Sequence, residues 1–383
     1  MPDAVIVDAV RTPIGRAAKG SLKDVRADDL AAIPLKALVD RNPEVDFSQT
    51  TDLLMGCGFP MGEQGYNVGR NAQLLAGIDH HVPAVTVSRF CSSSLQAIRM
   101  AFHAVVAGEG DQYIAAGVEA VSRFPAQPPF DPHPKLDGSD GSLFNVYIPM
   151  GLTAENVAKS RNVSRESQDE WAAISQQRAV AARDDGHFDR EIVPVALADG
   201  TEVTRDDGPR PGTTAEVLAQ LKPAFDPEGT VTAGNACPLN DGAAAVLVMS
   251  DTRAKELGLE PRARIVASSV AAIRPEEMGL GPIPAVAKVL EQAGMTIADI
   301  DVLELNEAFA AQVLPCRDEL GIHPEKLNPF GGAIALGHPF GMTGARIMTT
   351  LLNDLDARDG TIGLETMCVA GGMGQAMIVE RLA

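Results

Sequence analysis

Short apolar runs alternate with helix-length segments along this chain, and this alternation constrains the fold more than any other sequence feature. Residues 4–10 and 112–118 predict buried strands, and residues 84–88 form a shorter β-rich run. Residues 27–40 and 92–107 have the length and apolar spacing of amphipathic helices. Such alternation predicts an α/β protein in which helices cover a mostly parallel sheet.

The second half of the chain repeats the pattern of the first. Residues 264–270 resemble the opening strand, and a helix predicted from about residue 341 to 355 resembles the helix that follows Cys91. Strands predicted at 361–368 and 374–380 complete the set. Because α/β sheets present ligand sites at the carboxyl ends of their strands, we expect a duplicated fold with its site between the halves.

A segment of different character interrupts the first half. Between about residues 123 and 150, prolines such as Pro128 and Pro129 exclude regular elements, and helices are predicted at 151–160 and 164–185. The chain is therefore predicted to contain two halves and an inserted loop domain. The predicted divisions are 1–119 with 246–263 for the N-terminal half, 120–245 for the loop domain and 264–383 for the C-terminal half.

Composition excludes several classes of protein. Thirty-two basic residues against fifty-one acidic ones give a formal charge of -19, whereas proteins that bind nucleic acid or anionic membranes are typically basic. The longest apolar runs have the length of strands, so no membrane span is expected, and the N-terminus does not resemble a signal peptide. The five cysteines form no C-x-x-C pair, which argues against a disulfide framework or a structural zinc site. We therefore expect a cytoplasmic protein with reduced thiols and without a metal centre.

Cys91 lies where a predicted strand gives way to a helix, within Arg89-Phe-Cys-Ser-Ser-Ser94. The dipole of a helix N-terminus lowers the pKa of a thiol and favours the nucleophilic thiolate. The alternative is a small buried cysteine that fills core space, which is the commoner fate of this residue. The three serines favour the first interpretation, because small polar neighbours leave a thiol accessible.

Two glycine-dense loops carry a histidine and a second cysteine. His338 lies in the segment Gly331–Gly341, and there it could act as a base toward a thiol or donate to an oxyanion. Cys368 ends an apolar strand and precedes Val-Ala-Gly-Gly, a turn that could direct backbone N–H groups at a carbonyl oxygen. Cys368 could equally be a core cysteine.

Asn306 follows the predicted strand 302–305 and is predicted to open a helix. On local grounds helix capping is the favoured interpretation, although the side chain could also hold a water near an acyl oxygen. Cys57, Cys237 and Cys316 are interpreted on the same local grounds as packing residues.

Together these segments resemble the thiolase family over essentially the whole chain. The matching segments are Asp8–Gly15, Arg89–Ser93, Met150–Asn156, Thr232–Asn235, Asn240–Ala243, Asn306–Phe309, Gly331–Gly341 and the residues from Cys368 onward.

The resemblance implies a fold, an assembly and a reaction. Thiolases have two similar βαβαβαββ halves in layered α/β/α/β/α packing with an inserted loop domain, and they form homodimers or homotetramers. They transfer an acetyl unit between a 3-ketoacyl-CoA and free coenzyme A, in a reversible Claisen condensation that serves lipid or sterol side-chain β-oxidation. Coenzyme A would be a co-substrate, and no cofactor would be bound permanently. The resemblance leaves open a partner subunit within a β-oxidation complex.

The resemblance also assigns roles. Cys91 would carry the acyl group as a thioester after activation by His338, and Cys368 would exchange the alpha proton of acetyl-CoA. His338 and a water held by Asn306 would form one oxyanion hole. The backbone N–H groups of Cys91 and Ala370 would form the other.

Arg210 matches a family position near the nucleotide end of coenzyme A, and it would supply a local cation on an acidic protein. A solvated loop arginine is the alternative. The other positions matching the family's coenzyme A and acyl path are Phe225, Ala233, Cys237, Met278, Ala308, Phe309 and Ala370.

Several departures from the family pattern bear on the substrate. Cys237-Pro238 replaces the usual Ser-Gly, Ala370 replaces the usual glycine, and Ser88 stands where asparagine is common. The segment Ile148–Gly151 is typical of the broad-chain degradative branch, whereas the acetoacetyl-CoA-specific branch carries histidine at Pro149. We therefore predict a longer or bulkier acyl group, with an acetoacetyl-CoA thiolase (a biosynthetic acetyl-CoA acetyltransferase) as the alternative.

Two other functions fit some of these features. A β-ketoacyl synthase shares the fold and the nucleophilic cysteine but lacks a second reactive cysteine such as Cys368. A lipid-binding protein that has lost catalysis would not be expected to retain Cys91, Asn306, His338 and Cys368 together.

Overall fold

The computed structural model describes residues 2–126 and 130–382. Pro128 and Pro129, two of the prolines expected to exclude regular elements, lie outside the described residues.

The described strands alternate with helices along the chain. The strands are β1 (Ala4–Arg11), β2 (Gly15–Arg16), β3 (Asp52–Cys57), β4 (Ala84–Val87), β5 (Gln112–Ala120), β6 (Val195–Ala196), β7 (Glu202–Val203), β8 (Asn240–Ser250), β9 (Ala263–Ala272), β10 (Val302–Leu305), β11 (Ile362–Val369) and β12 (Met373–Arg381). The α-helices are α1 (Ala27–Arg41), α2 (Val68–Leu75), α3 (Ser93–Ala107), α4 (Met150–Ser160), α5 (Arg165–Asp184), α6 (Ala215–Leu218), α7 (Asp251–Glu256), α8 (Pro282–Ala293), α9 (Ala310–Leu320), α10 (Ala333–Leu336) and α11 (Thr343–Arg358). Short 3₁₀ segments occupy Phe47–Gln49, Gly62–Gln64, Phe90–Ser92, Val121–Arg123, His187–Arg190, Pro275–Leu280 and Ile297–Asp299.

One large sheet runs through the molecule in the order β10-β11-β12-β9-β1-β8-β5-β3-β4, and β2 pairs with β8 outside this path. The two halves join where β1 meets β9 through the partners Val5–Arg264 and Ile6–Ala263. Outward from this junction the strand orders are β1-β8-β5-β3 and β9-β12-β11-β10. Equivalent neighbours run in the same relative directions in both halves. The duplicated α/β fold predicted from the sequence is confirmed.

The expectation of a mostly parallel sheet is wrong. Parallel pairs are β3 with β4, β3 with β5 and β10 with β11, whereas β8 and β12 each lie between two antiparallel neighbours. The physical reason is the short connection between consecutive strands. The chain passes from β11 to β12 through a short turn, with no crossover helix that could return it in the parallel direction.

Most predicted elements form within a few residues of their expected bounds. The strand predicted at 4–10 is Ala4–Arg11, and the helices predicted at 27–40 and 92–107 are Ala27–Arg41 and Ser93–Ala107. The strands predicted at 361–368 and 374–380 are Ile362–Val369 and Met373–Arg381. The domain divisions given above stay a prediction.

The equivalent helices α3 and α11 pack against each other at the centre of the molecule. A Cβ added at Gly344 would lie 2.3 Å from the backbone nitrogen of Leu95, so glycine permits this close approach. The Ala345 N–H donates to Ser94 Oγ at 2.8 Å. Both helices begin beside the carboxyl ends of strands, and this brings the loops that carry Cys91 and His338 to one region.

Candidate active site

Cys91 occupies a tight turn between β4 and α3. Phe90, the residue before it, has a φ of +43°, a left-handed conformation that costs energy for a phenylalanine. Ser93 stabilises the turn, since its hydroxyl accepts from the Arg89 N–H at 2.9 Å and donates to the Phe90 carbonyl at 2.6 Å. Ser92 and Ser94 are likewise bonded, to Gln375 and to the Ala345 N–H. The three serines therefore stabilise the turn at Cys91 and the contact between α3 and α11.

The Cys91 thiol is buried, with 9% of the residue exposed. Burial raises the pKa of Cys91 to about 12, while the backbone N–H of Ala370 favours the thiolate and the charge of Glu119 disfavours it. The prediction that the pKa of Cys91 is lowered is wrong, because desolvation outweighs the backbone N–H groups of Ala370 and Cys91, which favour the thiolate. Cys91 is consequently a neutral thiol that needs a base at the moment of attack.

Asn240 and Thr343 fix His338 through two polar contacts. Its backbone N–H donates to Asn240 Oδ1 at 3.0 Å, and its Nδ1 lies 2.6 Å from Thr343 Oγ1. The Thr343 hydroxyl already donates to the Pro339 carbonyl at 2.7 Å, so its oxygen is left to accept from an Nδ1–H of His338. This assigns the tautomer whose Nε2 carries the lone pair.

The electrostatic surroundings keep His338 neutral. Burial lowers the pKa of His338 to about 3, and the positive charge of Arg346 lowers it further. A neutral imidazole with its lone pair on Nε2 can accept a proton from a thiol.

Asn306 follows β10 directly but caps no helix. The helix α9 begins at Ala310 with Phe309 as its N-cap, so the expected capping role of Asn306 is wrong. Its Nδ2 lies 3.3 Å from His338 Nε2, and its Oδ1 is buried without a partner among the described residues. An unpartnered oxygen beside an imidazole is suited to holding a water molecule.

Two buried carboxylates that were missed from the sequence organise the loops. Glu119 accepts from the N–H groups of Gly58 and Gly341 at 2.8 Å each and from Gln64 Nε2 at 2.6 Å, and burial raises its pKa to about 7. Glu307 accepts from Trp171, Ser175, Asn328 and the Ile334 N–H. The available signal for Glu119 was a charged residue directly after the predicted buried strand 112–118.

Cys368 lies near the end of β11 and is fully buried. Burial raises its pKa well above the usual range, and negative charge on Cys91, Cys316 or Cys237 would raise it further. The sulfur atoms of Cys91 and Cys368 are therefore within electrostatic reach of each other. The loop that follows leaves the Ala370 backbone in an ordinary conformation, because the positive φ values fall on Gly371 (+81°) and Gly372 (+79°). The Ala370 N–H consequently faces the Cys91 sulfur without strain.

Several residues of the expected coenzyme A path lie beside Cys368. Met278, Ala308, Phe309 and Cys368 belong to one apolar cluster. Cys237 is half-buried and adjoins it, since its N–H donates to the Ala308 carbonyl at 3.0 Å. The Phe225 and Phe309 ring centroids are 6.1 Å apart.

Arg210 and Ala233 are not members of this apolar cluster. Both are exposed, and the Arg210 N–H donates to Gln176 Oε1 at 2.8 Å. Cys57 and Cys316 are fully buried, in agreement with their interpretation as packing residues. No helix in the described ranges is both long and apolar enough to cross a membrane.

Comparison with known proteins identifies relatives over the whole chain. The family described as "Thiolase, N-terminal domain" matches residues 4–252, and "Thiolase, C-terminal domain" matches residues 259–381. The chain is 49% identical to a 3-ketoacyl-CoA thiolase of Cronobacter sakazakii and 50% identical to one of Aeromonas hydrophila, each over 100% of both sequences. The crystal structure of the Bacillus anthracis acetyl-CoA acetyltransferase aligns with a TM-score of 0.92 at 40% identity and covers 100% of this chain and 99% of that one.

Proposed function

This chain belongs to the thiolase family and is an acyltransferase, and we propose that it cleaves 3-ketoacyl-CoA with free coenzyme A to acetyl-CoA and a shortened acyl-CoA. The observation that carries the proposal is that the charge of Cys91 acts on Cys368, while Asn306, whose Nδ2 lies 3.3 Å from His338 Nε2, donates its backbone N–H to the carbonyl of Thr366, two residues before Cys368. The second thiol argues against a β-ketoacyl synthase, which lacks it.

The first step is attack of Cys91 on the ketone. The Cys91 thiol gives its proton to His338 Nε2 as its sulfur bonds to the keto carbon, because both groups are neutral beforehand. The negative oxygen that forms is stabilised by N–H donors, each of which is worth about 3 kcal/mol in such sites. The backbone N–H groups of Cys91 and Ala370 are suited to this task, since both favour negative charge at the Cys91 sulfur.

Collapse of this intermediate breaks the carbon–carbon bond. The acyl group stays on Cys91 as a thioester, and the bonding electrons pass to the acetyl-CoA carbanion. Cys368 donates its proton to that carbon and becomes a thiolate, while His338 and a water on Asn306 Oδ1 stabilise the enolate oxygen.

The second half of the reaction restores both thiols. Free coenzyme A gives its thiol proton to the Cys368 thiolate and attacks the Cys91 thioester. The Cys91 sulfur then leaves and recovers its proton from His338. Cys91, His338 and Cys368 all regain their starting protonation states, and the net transfer is of the thiol proton of coenzyme A to the acetyl carbon. The same steps in reverse give the condensation.

Coenzyme A binding is supported by two surfaces. The apolar residues Met278, Ala308 and Phe309 suit the pantetheine arm. Arg210 forms no ion pair with another described residue, so its cation is available to a phosphate. We place three more residues along the proposed coenzyme A path: Phe225, Ala233 and Cys237.

The proposed acyl group is longer or bulkier than acetoacetyl. Pro149 is the N-cap residue of α4, and Met150 packs against the apolar cluster that contains Cys368. The alternative is an acetoacetyl-CoA thiolase, which the similarity to the Bacillus anthracis acetyl-CoA acetyltransferase favours.

We also propose that the chain forms a homodimer or homotetramer. β4 is an edge strand, and its outer backbone groups are available to a second copy. Tyr66 beside it is 99% exposed, and the side chain of its neighbour Asn67 donates to the Ala84 carbonyl of β4 at 2.9 Å. A large exposed aromatic residue next to a free strand edge is typical of an interface. A cytoplasmic location is part of the proposal and is supported by five free cysteines.

The direct test is intact-protein mass spectrometry after incubation with a 3-ketoacyl-CoA or acetyl-CoA. We expect an acyl adduct on the wild type, none on Cys91→Ala, and an adduct without turnover on Cys368→Ala. Cys316→Ala is the control. Cys316 lies on α9 and is fully buried, so this variant should be acylated like the wild type. An unmodified wild type that turns over no ketoacyl-CoA would contradict the proposal and favour a lipid-binding protein.

Substrate length is tested separately by kcat/KM with 3-ketoacyl-CoA thioesters of increasing chain length. We expect kcat/KM to rise beyond acetoacetyl-CoA. If acetoacetyl-CoA is the best substrate and activity falls with length, the chain is an acetoacetyl-CoA thiolase instead.

A further inference from the structure

Three side chains of the kind that bind metal ions stand next to one another in the turn that precedes β4. Asp79 Oδ1 lies 2.9 Å from His81 Nδ1 and 3.5 Å from His80 Nδ1. All three donor atoms lie within 4.8 Å of one another. The two imidazole rings are adjacent, with 4.0 Å between their centroids and 41° between their planes. We refer to Asp79, His80 and His81 as the Asp-His-His turn.

The spacing of these donors matches the coordination shell of a small divalent cation. Imidazole nitrogen and carboxylate oxygen bind such ions at about 2.1 Å. Two donors at that distance, separated by the angles of about 90–109° found in octahedral and tetrahedral sites, lie about 3.0–3.4 Å apart. The separations of 2.9 Å and 3.5 Å from the Asp79 oxygen therefore need only slight adjustment around an ion.

Side chains of α2 hold the backbone of this turn in place. Arg70 donates to the His80 carbonyl at 2.8 Å and to the Val82 carbonyl at 2.6 Å. Gln73 is fully buried and donates to the Asp79 carbonyl at 2.6 Å. The Val82 N–H donates to the same Asp79 carbonyl at 3.0 Å and closes the turn. Because the backbone is already fixed, binding an ion requires little further ordering.

The electrostatic surroundings favour a cation. The backbone N–H of His81, and then its ring, hold the pKa of Asp79 below its usual range, so this carboxylate is ionised at neutral pH. No lysine or arginine in the described ranges forms an ion pair with it. Asp46 carries a second negative charge within electrostatic reach of Asp79, and the whole chain has a formal charge of -19. Such a potential raises the local concentration of cations.

The donors are accessible and of mixed type. The side chains of His80 and His81 are 73% and 79% exposed, so an ion from solvent can reach both Nδ1 atoms without any opening of the fold. Imidazole nitrogens suit Zn²⁺, Ni²⁺ and Cu²⁺, whereas Mg²⁺ and Ca²⁺ prefer oxygen donors alone. Three protein donors leave room for water to complete the shell of the ion.

We propose that the Asp-His-His turn binds one divalent ion of the Zn²⁺ and Ni²⁺ class, through Asp79 Oδ1 and the Nδ1 atoms of both histidines. The turn lies where the chain enters β4, whereas Cys91 follows the other end of that strand. Its donors also differ from the cysteines of a structural zinc site, which the sequence argues against. Binding needs neither substrate nor the catalytic residues, so it is independent of the proposed function.

Titration calorimetry of the full-length protein with NiCl₂, near neutral pH and without coenzyme A, measures the site directly. Ni²⁺ is the probe because it suits imidazole, whereas Zn²⁺ also binds thiolates. We expect saturable binding to the wild type, and affinity at least about tenfold lower in His80→Ala and in His81→Ala, because even indirect contacts around a metal are worth about 10–100-fold. Asp79→Asn keeps an oxygen for the His81 N–H but loses the charge, and it should also weaken binding at least about tenfold.

His323→Ala is the matched control. His323 is also exposed, and its Nδ1 accepts from the Glu325 backbone N–H at 3.3 Å, outside the Asp-His-His turn. This variant should bind Ni²⁺ like the wild type. Melting temperatures give a second readout, because an ion that binds only the folded state raises them. NiCl₂ should raise the melting temperature of the wild type and of His323→Ala, and not that of His80→Ala.

The outcomes separate this site from the proposed function. Weaker binding in His80→Ala, His81→Ala and Asp79→Asn, with normal binding in His323→Ala, supports the site. A wild type without saturable Ni²⁺ binding overturns it, and so does equal binding by the wild type and His80→Ala, which would assign the ion to another place such as the thiols. A wild type that binds Ni²⁺ at this turn but cleaves no 3-ketoacyl-CoA refutes the function and supports the site.

Discussion

Two buried arginines, one in each half of the molecule, are held in opposite ways. Arg11 on β1 is fully buried, and its Nε lies 2.6 Å from Glu191 Oε1 and its Nη1 2.7 Å from Asp206 Oδ1. A second bond runs from Nη2 to Asp206 Oδ2 at 3.0 Å, and Nη1 also reaches the Thr12 carbonyl. We call Arg11, Glu191 and Asp206 the Arg11 cluster.

Arg346 on α11 is equally buried but poorly paired. Its Nη1 is 3.9 Å from Glu304 Oε2, and neither Nε nor Nη1 has a hydrogen-bond partner among the described residues. Glu365 lies opposite Glu304 on the neighbouring strand. Among the described residues, both carboxylate oxygens of Glu365 and one of Asp354 have no hydrogen-bond partner. We call Arg346, Glu304, Glu365 and Asp354 the Arg346 cluster.

The difference shows that equal burial has opposite electrostatic consequences. Despite burial, the carboxylates Asp206 and Glu191 raise the pKa of Arg11, whereas burial lowers the pKa of Arg346. Burial also raises the pKa values of Glu304, Glu365 and Asp354 well above their usual range. Because buried polar atoms are normally satisfied, we expect ordered water in the Arg346 cluster and little in the Arg11 cluster.

The largest predicted effect comes from breaking the better-paired cluster. Arg11→Met leaves two buried carboxylates without their cation, which should cost about 3–5 kcal/mol of stability. The midpoint of urea unfolding, read in the full-length protein, measures this loss. The control is Arg253→Met, which removes an exposed pair with Glu256 and should cost less than about 1 kcal/mol. Equal losses in the two variants would contradict the importance of the Arg11 pairing.

A smaller effect, which depends on pH, should appear in the Arg346 cluster. The raised pKa of Glu365 means that the folded state keeps a proton that the unfolded chain releases above about pH 4.5. Stability should therefore fall as pH rises from 4.5 toward the folded-state pKa, by at most about 1.4 kcal/mol per pH unit. Glu365→Gln cannot ionise, so its stability relative to wild type should increase steadily from pH 5 to pH 8.

Thermal unfolding at both pH values measures this difference. Glu256→Gln, an exposed carboxylate, is the control and should give parallel curves. If the melting temperature of Glu365→Gln differs from that of wild type by the same amount at pH 5 and pH 8, the carboxyl of Glu365 does not titrate in this range.

The order of elements was readable from the sequence because local patterns determine it. Apolar runs of strand length and helical spacing gave β1, α1, α3 and the closing strands within a few residues. Strand direction was not readable, because it depends on the connections and on pairing between distant segments. Asn306 failed as a helix cap because residues 308–310 pair with residues 235–237, so the helix begins only at Ala310.

The proposed members of the site were chosen from the sequence, whereas their electrostatics could not be predicted from it. Cys91, His338, Asn306 and Cys368 were selected from local glycine and serine context and from the family resemblance. The direction of the Cys91 pKa shift was wrong, because the depth of burial depends on the opposing half of the molecule. Glu119, from a different strand, adds a negative charge that no local pattern reveals.

The buried arginines illustrate the same limit. Arg11 stands in Asp8-Ala-Val-Arg-Thr-Pro, whereas its partners Glu191 and Asp206 are about 180 or more residues away in sequence. Nothing near Arg346 in sequence distinguishes it from a surface arginine of an amphipathic helix. Only the three-dimensional structure separates a satisfied buried charge from an unsatisfied one.

The smallest predicted effect is the sharpest test of the comparison. Arg346→Met removes a cation that lies 3.9 Å from Glu304 Oε2, and burial raises the pKa values of Glu304 and Glu365 and so favours their neutral forms. Methionine also fills much of the same apolar volume, and such replacements of buried charged groups are often neutral or stabilising. We therefore expect the stability read from the urea midpoint to change by no more than about 1 kcal/mol at pH 6, against the several kcal/mol expected for Arg11→Met. A loss as large as that of Arg11→Met would mean that Glu304 and Glu365 are ionised and bound to Arg346, and the contrast between the two halves would disappear.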